Sequence, residues 1–289
     1  MMSHFVRNTL VLLSMICFSI SGNAQQFYAS SEYGMKFGAG HYFGDINPNY
    51  GLKRPMPAIG AFFRHHFNPY ISTRASLDYT ILGYSDNLSK NAYQQQRNLS
   101  FNSNILEVAL MAEFNFFWFS TGDPLHRFTP YLAGGIGAFY YEPTTRFEGH
   151  TYKLRLLGTE GQFTEAYKDR RYQPFSICFP IGFGFKYWVR PGLNLGFELI
   201  NRFTLTDYID DVSTTYVGSD KFANDPMHPT AAAALQDRSL MVNGQKLGRA
   251  GKQRGNDAFK DQYLFAQLTL SFQLKTYKCP SHLDGVWEP

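Results

Sequence analysis

The stretch Tyr263–Lys275, Y-L-F-A-Q-L-T-L-S-F-Q-L-K, alternates apolar and polar side chains. The apolar positions run from Leu264 to Leu274 on every second residue, and Gln267 and Thr269 belong to the opposite, polar set. Successive side chains of a β-strand point to opposite faces, so this period predicts a strand with one apolar and one polar face. Its length suits a strand that crosses a bilayer at a tilt, which takes roughly nine to eleven residues.

The same alternation recurs along the chain and predicts about eight strands. The other seven are Tyr33–Phe43, Met56–Phe67, Tyr70–Tyr84, Leu106–Trp118, Phe128–Tyr141, Phe175–Val189 and Leu193–Leu205. Long connections alternate with short ones, which is typical of outer-membrane barrels with long loops outside the cell and short turns in the periplasm. We therefore predict an all-β fold, an up-and-down, eight-stranded antiparallel transmembrane β-barrel with long extracellular loops. Its even number of strands places both termini in the periplasm.

The first 24 residues have the features of a secretory signal peptide. Arg7 precedes the apolar run Thr9–Ile20, and small residues end at Ala24. The run is shorter than the roughly 18 residues of a membrane-spanning helix, although a membrane anchor and a lipoprotein modified at Cys17 are alternatives. We predict a removed leader over residues 1–24, an outer-membrane barrel over 25–275 and a periplasmic tail over 276–289.

The composition matches a lipid-facing surface. Aromatic residues make up 17% of the chain, and charged residues also make up 17%, below the usual quarter. The net charge of +4 comes without a dense basic run, which argues against a nucleic-acid partner. A soluble barrel with its apolar faces inward is the alternative. An eight-stranded interior has room only for side chains or one small ligand, and these apolar faces are too bulky for it.

Charged side chains on the predicted inner face form a nearly balanced set. They are Lys36, Arg64, Arg74, Asp78, Glu107, Glu113, Lys186, Glu198 and Arg202. Buried charges cost several kcal/mol each unless they are paired. We therefore predict that these residues form an ion-pair plug and that the barrel has no open pore.

Other side chains are assigned by their position near strand ends. Aromatic residues there predict an interfacial girdle, made of Tyr33, Trp118, Tyr140, Tyr141, Tyr187 and Trp188. His41 and His65 are predicted to face outward at the interface, in preference to a hydrolase site. Cys178 is predicted near the loop end and Cys279 in the periplasm, so no disulfide is expected between them.

The stretch Thr206–Tyr216, T-D-Y-I-D-D-V-S-T-T-Y, places Asp207, Asp210 and Asp211 close together. It lacks the ligand spacing and central glycine of an EF-hand loop, and no His or Ser partner for acid/base chemistry is obvious nearby. Asp and Thr commonly fix turns and cap backbone groups, which is the preferred interpretation, with metal binding and catalysis as alternatives. No catalytic, cofactor-binding or metal-ligating residue is assigned.

Several motifs, in order along the chain, resemble one family. They are Tyr42–Pro48, Arg97–Phe101, Phe128–Gly137, Leu157–Gln162, Thr206–Tyr216, Arg254–Asn256 and Cys279-Pro280. Together they resemble the PorG-type outer-membrane proteins of the Bacteroidetes type IX secretion system. The resemblance implies a non-enzymatic barrel associated with a periplasmic ring of PorK lipoprotein and PorN, in a machine that exports proteins and supports gliding motility in some relatives.

The predicted topology assigns surfaces to this role. Ring contacts are expected from the periplasmic residues Asn68, Pro69, Arg190, Cys279 and Trp287. An extracellular lid is expected where Gly158, Thr159 and Glu160 pack against Asp207, Asp210 and Asp211. The expected partners are PorK-like and PorN-like proteins and outer-membrane lipid. Neither a nucleic acid nor a small-molecule substrate is expected. The alternatives are a small outer-membrane barrel enzyme, a channel or an adhesin unrelated to secretion.

Overall fold

Nine strands and three short α-helices make up the regular structure of the part described by the computed structural model, residues 31–120, 125–190, 192–222, 230–242 and 244–274. The strands are β1 (Ser31–Phe43), β2 (Met56–His66), β3 (Ile71–Ser85), β4 (Ser100–Asn115), β5 (Phe128–Phe147), β6 (His150–Lys153), β7 (Phe175–Arg190), β8 (Leu193–Thr204) and β9 (Gln262–Leu274). The helices are α1 (Ala92–Arg97), α2 (Leu154–Leu157) and α3 (Ala231–Gln236), and 3₁₀ turns occur at Asp86–Leu88, Glu165–Arg170 and Ser219–Lys221. The predicted leader 1–24 and tail 276–289, with Cys279 and Trp287, lie outside the described residues.

Eight long antiparallel strands close into a barrel, as predicted. Each pairs with its neighbour along the chain, apart from the short β6, which pairs with β5 alone. The barrel closes where β1 pairs with β9, from Ser31 opposite Leu274 to Phe43 opposite Gln262. Four connections meet at one end, termed the loop end: L1 (44–55), L2 (86–99), L3 (148–174) and L4 (205–261). The connections from β2 to β3, from β4 to β5 and from β7 to β8 lie at the other end, termed the turn end.

The outer face of the barrel carries a belt of exposed apolar side chains. Its members include Met35, Phe37, Ile59, Leu77, Val108, Leu110, Leu132, Ile136, Ile181, Phe183, Leu195, Leu268 and Phe272. A soluble monomer rarely exposes a contiguous apolar patch above a few hundred Å². This belt follows directly from the period-two pattern, and it is the surface that the hydrocarbon of a bilayer would cover. No helix in the described part of the chain is long and apolar enough to cross a membrane.

Near the loop end, the pattern of alternation is reversed. β4 begins at Ser100, six residues before the predicted start, and this extension turns Phe101 and Ile105 inward, where both are buried. Asn104 lies on the outer face and is exposed. Strands that extend beyond the apolar belt face water outside and need an apolar interior, as in a soluble protein. A search for apolar outward faces therefore missed this segment.

The interior thus has two layers. The middle and the turn end of the lumen hold charged side chains, described below. The loop end holds an apolar core in which strand residues such as Leu82, Phe139 and Phe265 pack with loop residues such as Ile209 and Leu235. Loops and barrel share this core, so the loops form a cap that is continuous with the fold.

The belt predicts a strong penalty for charge at its centre. Leu268 lies at the middle of β9 and is 64% exposed. Leu268→Arg should lower the free energy of unfolding in phospholipid vesicles by about 2–4 kcal/mol, the cost of Arg near a bilayer midplane. Equilibrium urea unfolding in those vesicles measures this change in the free energy of unfolding.

Phe259→Arg is the matched control, because Phe259 lies in L4 outside the belt and is 75% exposed. That change should stay within about 0.5 kcal/mol. Equal effects of the two substitutions would contradict the membrane placement of the belt.

Candidate functional site

The structure brings all nine predicted lumen charges together inside the barrel, each buried and within ion-pair distance of an opposite charge. Glu113 forms ion pairs with Arg64 at 2.9 Å, with Arg74 at 3.3 Å and with Lys186 at 2.7 Å. Arg74 also reaches Glu198 at 2.5 Å, so the pairs connect strands on opposite sides of the barrel.

The remaining pairs extend this network along the lumen. Lys36 binds Asp78 at 2.6 Å and lies 3.8 Å from Glu198. Arg202 pairs with Glu107 at 3.2 Å, and the side chains lining the lumen around them are also polar.

Two lumen residues were missed by the sequence-based prediction. Glu32 binds Arg64 at 2.8 Å and His66 Nε2 at 2.7 Å, and both Glu32 and His66 are buried. The predicted first strand began at Tyr33, whereas β1 begins at Ser31, which turns Glu32 inward. With Glu32 included, five carboxylates face five cations, so the lumen charge is balanced before His66 is considered.

The cap is held together by two buried arginines from different loops. Arg97 of α1 donates to both carboxylate oxygens of Asp86 at 2.8 Å, to the Arg254 carbonyl at 2.6 Å and to the Asp45 carbonyl at 2.9 Å. Arg254 in L4 donates to the Glu160 carboxylate at 3.0 Å. These bonds join L1, L2, L3 and L4 at one point.

The two segments of the predicted lid contact each other directly. Thr159 donates to the Asp211 carboxylate at 2.5 Å, and Arg254 donates to the Asp211 carbonyl at 2.6 Å. The buried Glu160 carboxylate accepts the backbone N–H groups of Ser213 at 3.0 Å and Thr214 at 3.2 Å. Gly158, at the end of α2, is also buried and adopts a left-handed conformation with φ of 64°.

The three aspartates of Thr206–Tyr216 anchor this segment to its surroundings. Asp210 accepts the Tyr42 hydroxyl at 2.5 Å and the backbone N–H of Val212 at 2.9 Å. Asp207 accepts the Ser213 hydroxyl at 2.6 Å. The Val212 bond is a local turn contact of the expected kind, but the Tyr42 bond reaches from L4 into β1.

Tyr42 also connects Asp210 to Asp261. Its hydroxyl lies 2.5 Å from Asp210 and 2.9 Å from Asp261. A phenol has a single proton and cannot donate to both carboxylates at once. If one of the two carboxyl groups is protonated, it can donate to the Tyr42 oxygen while Tyr42 donates to the other. Burial and the neighbouring acidic groups favour this state, because they raise the pKa of both Asp210 and Asp261 well above the usual range.

Other acidic groups in the cap have raised pKa values for the same reason. Burial raises the pKa of Asp207 to about 7, and the nearby Asp45 and Glu160 carboxylates add to this effect. Burial also raises the pKa of Asp45 and of Asp211 to about 6, although Arg254 opposes the shift at Asp211. Protonation therefore neutralises part of the excess carboxyl groups inside the cap. No group of three or more His, Cys, Asp or Glu side chains in the described ranges is arranged to hold a metal.

Three predicted interfacial side chains are buried instead. His41 lies on the outward side of β1, but L1 covers it and its Nε2 lies 2.6 Å from the Gly51 carbonyl. Tyr141 and Trp188 point inward, Tyr141 into the apolar core of the cap and Trp188 against Arg127. The predictions for Tyr141 and Trp188 were wrong because nearness to a strand end was used without the parity of the strand, whereas His41 has the predicted outward side and is buried by L1. Tyr33, Trp118 and Tyr187 are exposed, and Tyr140 and His65 are partly exposed.

At the turn end, the predicted contact residues differ in exposure. Asn68 is half-buried and its side chain accepts the backbone N–H groups of Tyr70 and Ile71, both at 2.8 Å, so it fixes the turn. Pro69 is buried, which corrects its prediction as a contact residue. Arg190 is exposed at the end of β7. Of the described contact candidates, Asn68 and Arg190 offer surface.

An apolar belt, a lumen filled with ion pairs and a folded cap at one end define a small β-barrel of the outer-membrane class. The chain belongs to the family described as "Domain of unknown function (DUF6089)", whose model matches residues 7–224. No curated protein matches the sequence.

Several solved structures are similar to the chain. The attachment invasion locus protein Ail of Yersinia pestis is 8% identical, with 86% of this chain and 100% of that chain covered at a TM-score of 0.40. The N-terminal β-barrel domain of Pseudomonas aeruginosa OprF is 10% identical, with 86% and 100% covered at a TM-score of 0.35. Neisserial surface protein A is 10% identical, with 85% and 99% covered at a TM-score of 0.39.

Removing the shared acceptor of the lumen network should strongly destabilise the barrel. Glu113→Ala leaves three buried cations without this partner, and such a loss costs about 3–5 kcal/mol. The urea midpoint of the barrel in phospholipid vesicles should fall accordingly. Glu165→Ala is the control, because its pair with Lys168 is exposed and should contribute nothing measurable. A Glu113→Ala barrel as stable as this control would show that the network does not stabilise the fold.

The raised pKa values predict a cap that weakens as pH rises. The folded cap binds more protons than the unfolded chain between about pH 4 and 7, so its stability falls as pH rises through that interval. The stacked rings of Tyr172 and Tyr208, 4.4 Å apart, give near-UV circular dichroism that reports on the cap. The urea midpoint of that signal should be higher at pH 5 than at pH 8.

Asp207→Asn should reduce this pH dependence, because the amide keeps the shape of the side chain but does not titrate. Asp169→Asn, at an exposed position in L3, is the matched control and should leave the pH dependence unchanged. A midpoint that is independent of pH in the unaltered protein, or that rises with pH, would contradict the protonated state of the cap interior.

Proposed function

We propose that this protein is an integral outer-membrane barrel, without catalytic activity of its own, that anchors the periplasmic ring of a type IX secretion machine. The observation that carries the membrane part of the proposal is the apolar belt around all eight long strands. The lumen supports anchoring over conduction, because buried side chains such as Arg74 and Glu198 fill it and pair across it.

The secretion role is supported by the motif resemblance. Five of the resembling motifs, Tyr42–Pro48, Arg97–Phe101, Leu157–Gln162, Thr206–Tyr216 and Arg254–Asn256, supply the hydrogen bonds and ion pairs that build the cap. Segments far apart in the sequence thus form one structural unit, as expected if they are the shared signature of a family. The ring partners would be a PorK-like lipoprotein and a PorN-like protein.

The proposed orientation places the loop end outside the cell and the turn end in the periplasm. Ser31 and Leu274 pair at the turn end, so both ends of the described chain emerge beside the short turns. Asn68 and Arg190 would then face the periplasmic ring. The proposed contacts at Cys279 and Trp287 lie outside the described residues, and the same orientation would place them on that side.

In-cell photo-cross-linking tests the proposal. A photoreactive amino acid at Arg190 should capture the ring lipoprotein or its partner, identified by mass spectrometry of the cross-linked product. The matched control is the same probe at Asp169, which lies in L3 at the loop end and is exposed.

Capture of ring components at Arg190 but not at Asp169 would support both the role and the orientation. Capture at Asp169 alone would contradict the orientation. If probes at Arg190, Asn68 and Trp287 all fail to capture ring components in a correctly inserted barrel, the secretion role is wrong.

A further inference from the structure

A cleft of about 440 Å³ lies at the loop end, between L1, α1 and the last part of L4. Its lining includes four aromatic side chains: Phe43 at the end of β1, Tyr50 in L1, Tyr93 in α1 and Phe259 in L4. The volume falls within the range of about 300–1,000 Å³ that is typical of small-ligand sites. Three parts of the chain that are far apart in the sequence thus bring aromatic rings to one cleft.

Most of the aromatic residues that line the cleft are exposed. Tyr50 is 60% exposed, Tyr93 is 41% exposed and Phe259 is 75% exposed. Phe43 is buried, with its ring centroid 4.9 Å from that of Tyr50. The Tyr93 hydroxyl donates to the Gln253 carbonyl at 2.6 Å, which fixes this side chain between L2 and L4. Together these rings offer flat apolar faces to a ligand in the cleft.

The backbone of Tyr50 is strained. Its φ of 53° lies in the left-handed region, which a bulky residue rarely adopts because its Cβ then approaches the following carbonyl group. Burial of the side chain does not compensate for this strain, since Tyr50 remains mostly exposed. Strained residues of this kind cluster at binding sites, where the strain helps to position a side chain for its ligand. The Tyr50 ring is therefore placed for contact with a ligand.

The charged side chains of the lining are mostly engaged in the fold. The Asp45 carboxylate accepts the backbone N–H of Asn256 at 3.0 Å. Arg97 and Arg254 are buried in the hydrogen bonds that join the loops of the cap. Among the described residues that line the cleft, Lys260 is the one exposed charge. A ligand that fits this lining is therefore uncharged, because a single solvated lysine contributes little to the binding of a carboxylate or phosphate group.

Carboxamides are the most frequent polar side chains of the lining. Those of Asn49 and Gln253 are exposed and form no hydrogen bond with another group in the described part of the chain. A carboxamide both donates and accepts hydrogen bonds, as a hydroxyl group does. The nearby backbone N–H groups of Arg254 and Gly255 already donate to the Thr214 carbonyl, at 2.9 and 2.8 Å. The cleft therefore suits a ligand rich in hydroxyl groups better than an extended peptide, which needs free backbone partners.

We propose that this cleft binds an uncharged saccharide. A sugar ring has a face of C–H groups and a rim of hydroxyl groups, which matches a lining of aromatic rings and carboxamides. The rings of Tyr50 and Phe259 pack against the C–H faces, and the carboxamides of Asn49 and Gln253 bond the hydroxyl groups. The site lies at the opposite end of the barrel from the proposed ring contacts, so saccharide binding does not depend on the secretion role.

Calorimetric titration of the full chain, purified in a detergent without a sugar head group, tests the proposal. The probes are cellotetraose, maltotetraose and mannotetraose, which differ in linkage and stereochemistry, and hexaproline, a peptide of the kind that aromatic grooves bind. At least one tetrasaccharide should bind about tenfold or more tightly than hexaproline. Its affinity should be the same in low and high salt, because the ligand carries no charge for salt to screen.

Phe259→Ala should weaken the binding of that tetrasaccharide by about tenfold or more, because it removes a large apolar face from the cleft. Phe163→Ala is the matched control, since Phe163 is also an exposed aromatic residue of the cap but does not line the cleft. The control should leave the affinity unchanged. An equal loss in both variants would overturn the site, and so would the absence of binding by all three tetrasaccharides at millimolar concentration.

Tyr50→Asn separates a binding role of this residue from a structural one. Asparagine adopts the left-handed conformation more readily than tyrosine, so the urea midpoint of the cap should stay the same or rise. The near-UV signal of Tyr172 and Tyr208 measures that midpoint, while tetrasaccharide binding should weaken by about tenfold or more. A lower midpoint with unchanged affinity would show that the ring serves the fold and would overturn the proposal. Tighter binding of hexaproline than of every tetrasaccharide would identify a peptide site and overturn the saccharide assignment.

Discussion

A closed barrel with an apolar exterior must turn its polar side chains inward, and in this protein buried ion pairs satisfy that constraint. All eight long strands contribute to this polar network. Six of them supply charged side chains, and the other two supply tyrosines: Tyr131 of β5 donates to Glu198 at 3.0 Å, and Tyr263 of β9 donates to Glu107 at 2.7 Å. A shift of one residue in any strand would turn its charges toward the belt. The network therefore specifies the register of the sheet as well as stabilising it. Space for it depends on small residues: a Cβ at Gly184 would lie 2.6 Å from the Tyr131 ring.

The cap stabilises buried charge by a different route. In the lumen every described carboxylate has a cation nearby. Among the described residues of the cap, by contrast, Arg97 and Arg254 are the buried cations, and the buried carboxyl groups outnumber them. Protonation and hydroxyl donors such as Tyr42 and Thr159 replace cations there. Strands and loops share one apolar core at the loop end, so a weakened cap also weakens the packing of the barrel at that end.

The sequence predicts the barrel well because lipid imposes one simple rule on every spanning strand. Outside the belt that rule no longer applies. The start of β4 at Ser100, the burial of His41 beneath L1 and the inward direction of Tyr141 all occur where strands leave the belt. The pairing of Thr159 with Asp211, expected only from the topology that places both loops at one end, depends on contacts across 52 positions of sequence. No local pattern encodes the partner of Arg254 or Asp261, because Arg254 bonds to Glu160 in L3 and Asp261 accepts from Tyr42 in β1, both far away in the sequence.

The union of cap and barrel also restricts where function can reside. Opening a path through the lumen would require breaking buried charge pairs, and lifting the cap would separate Tyr42 from Asp210 and disrupt a core shared by strands and loops. Movement of cargo through this chain is therefore unfavourable on two independent grounds. What remains accessible is surface, namely the turn end with the exposed Arg190 and the outer faces of the cap loops. A barrel built in this way suits a role at its surface, as the proposed anchoring function requires, without connecting the two compartments.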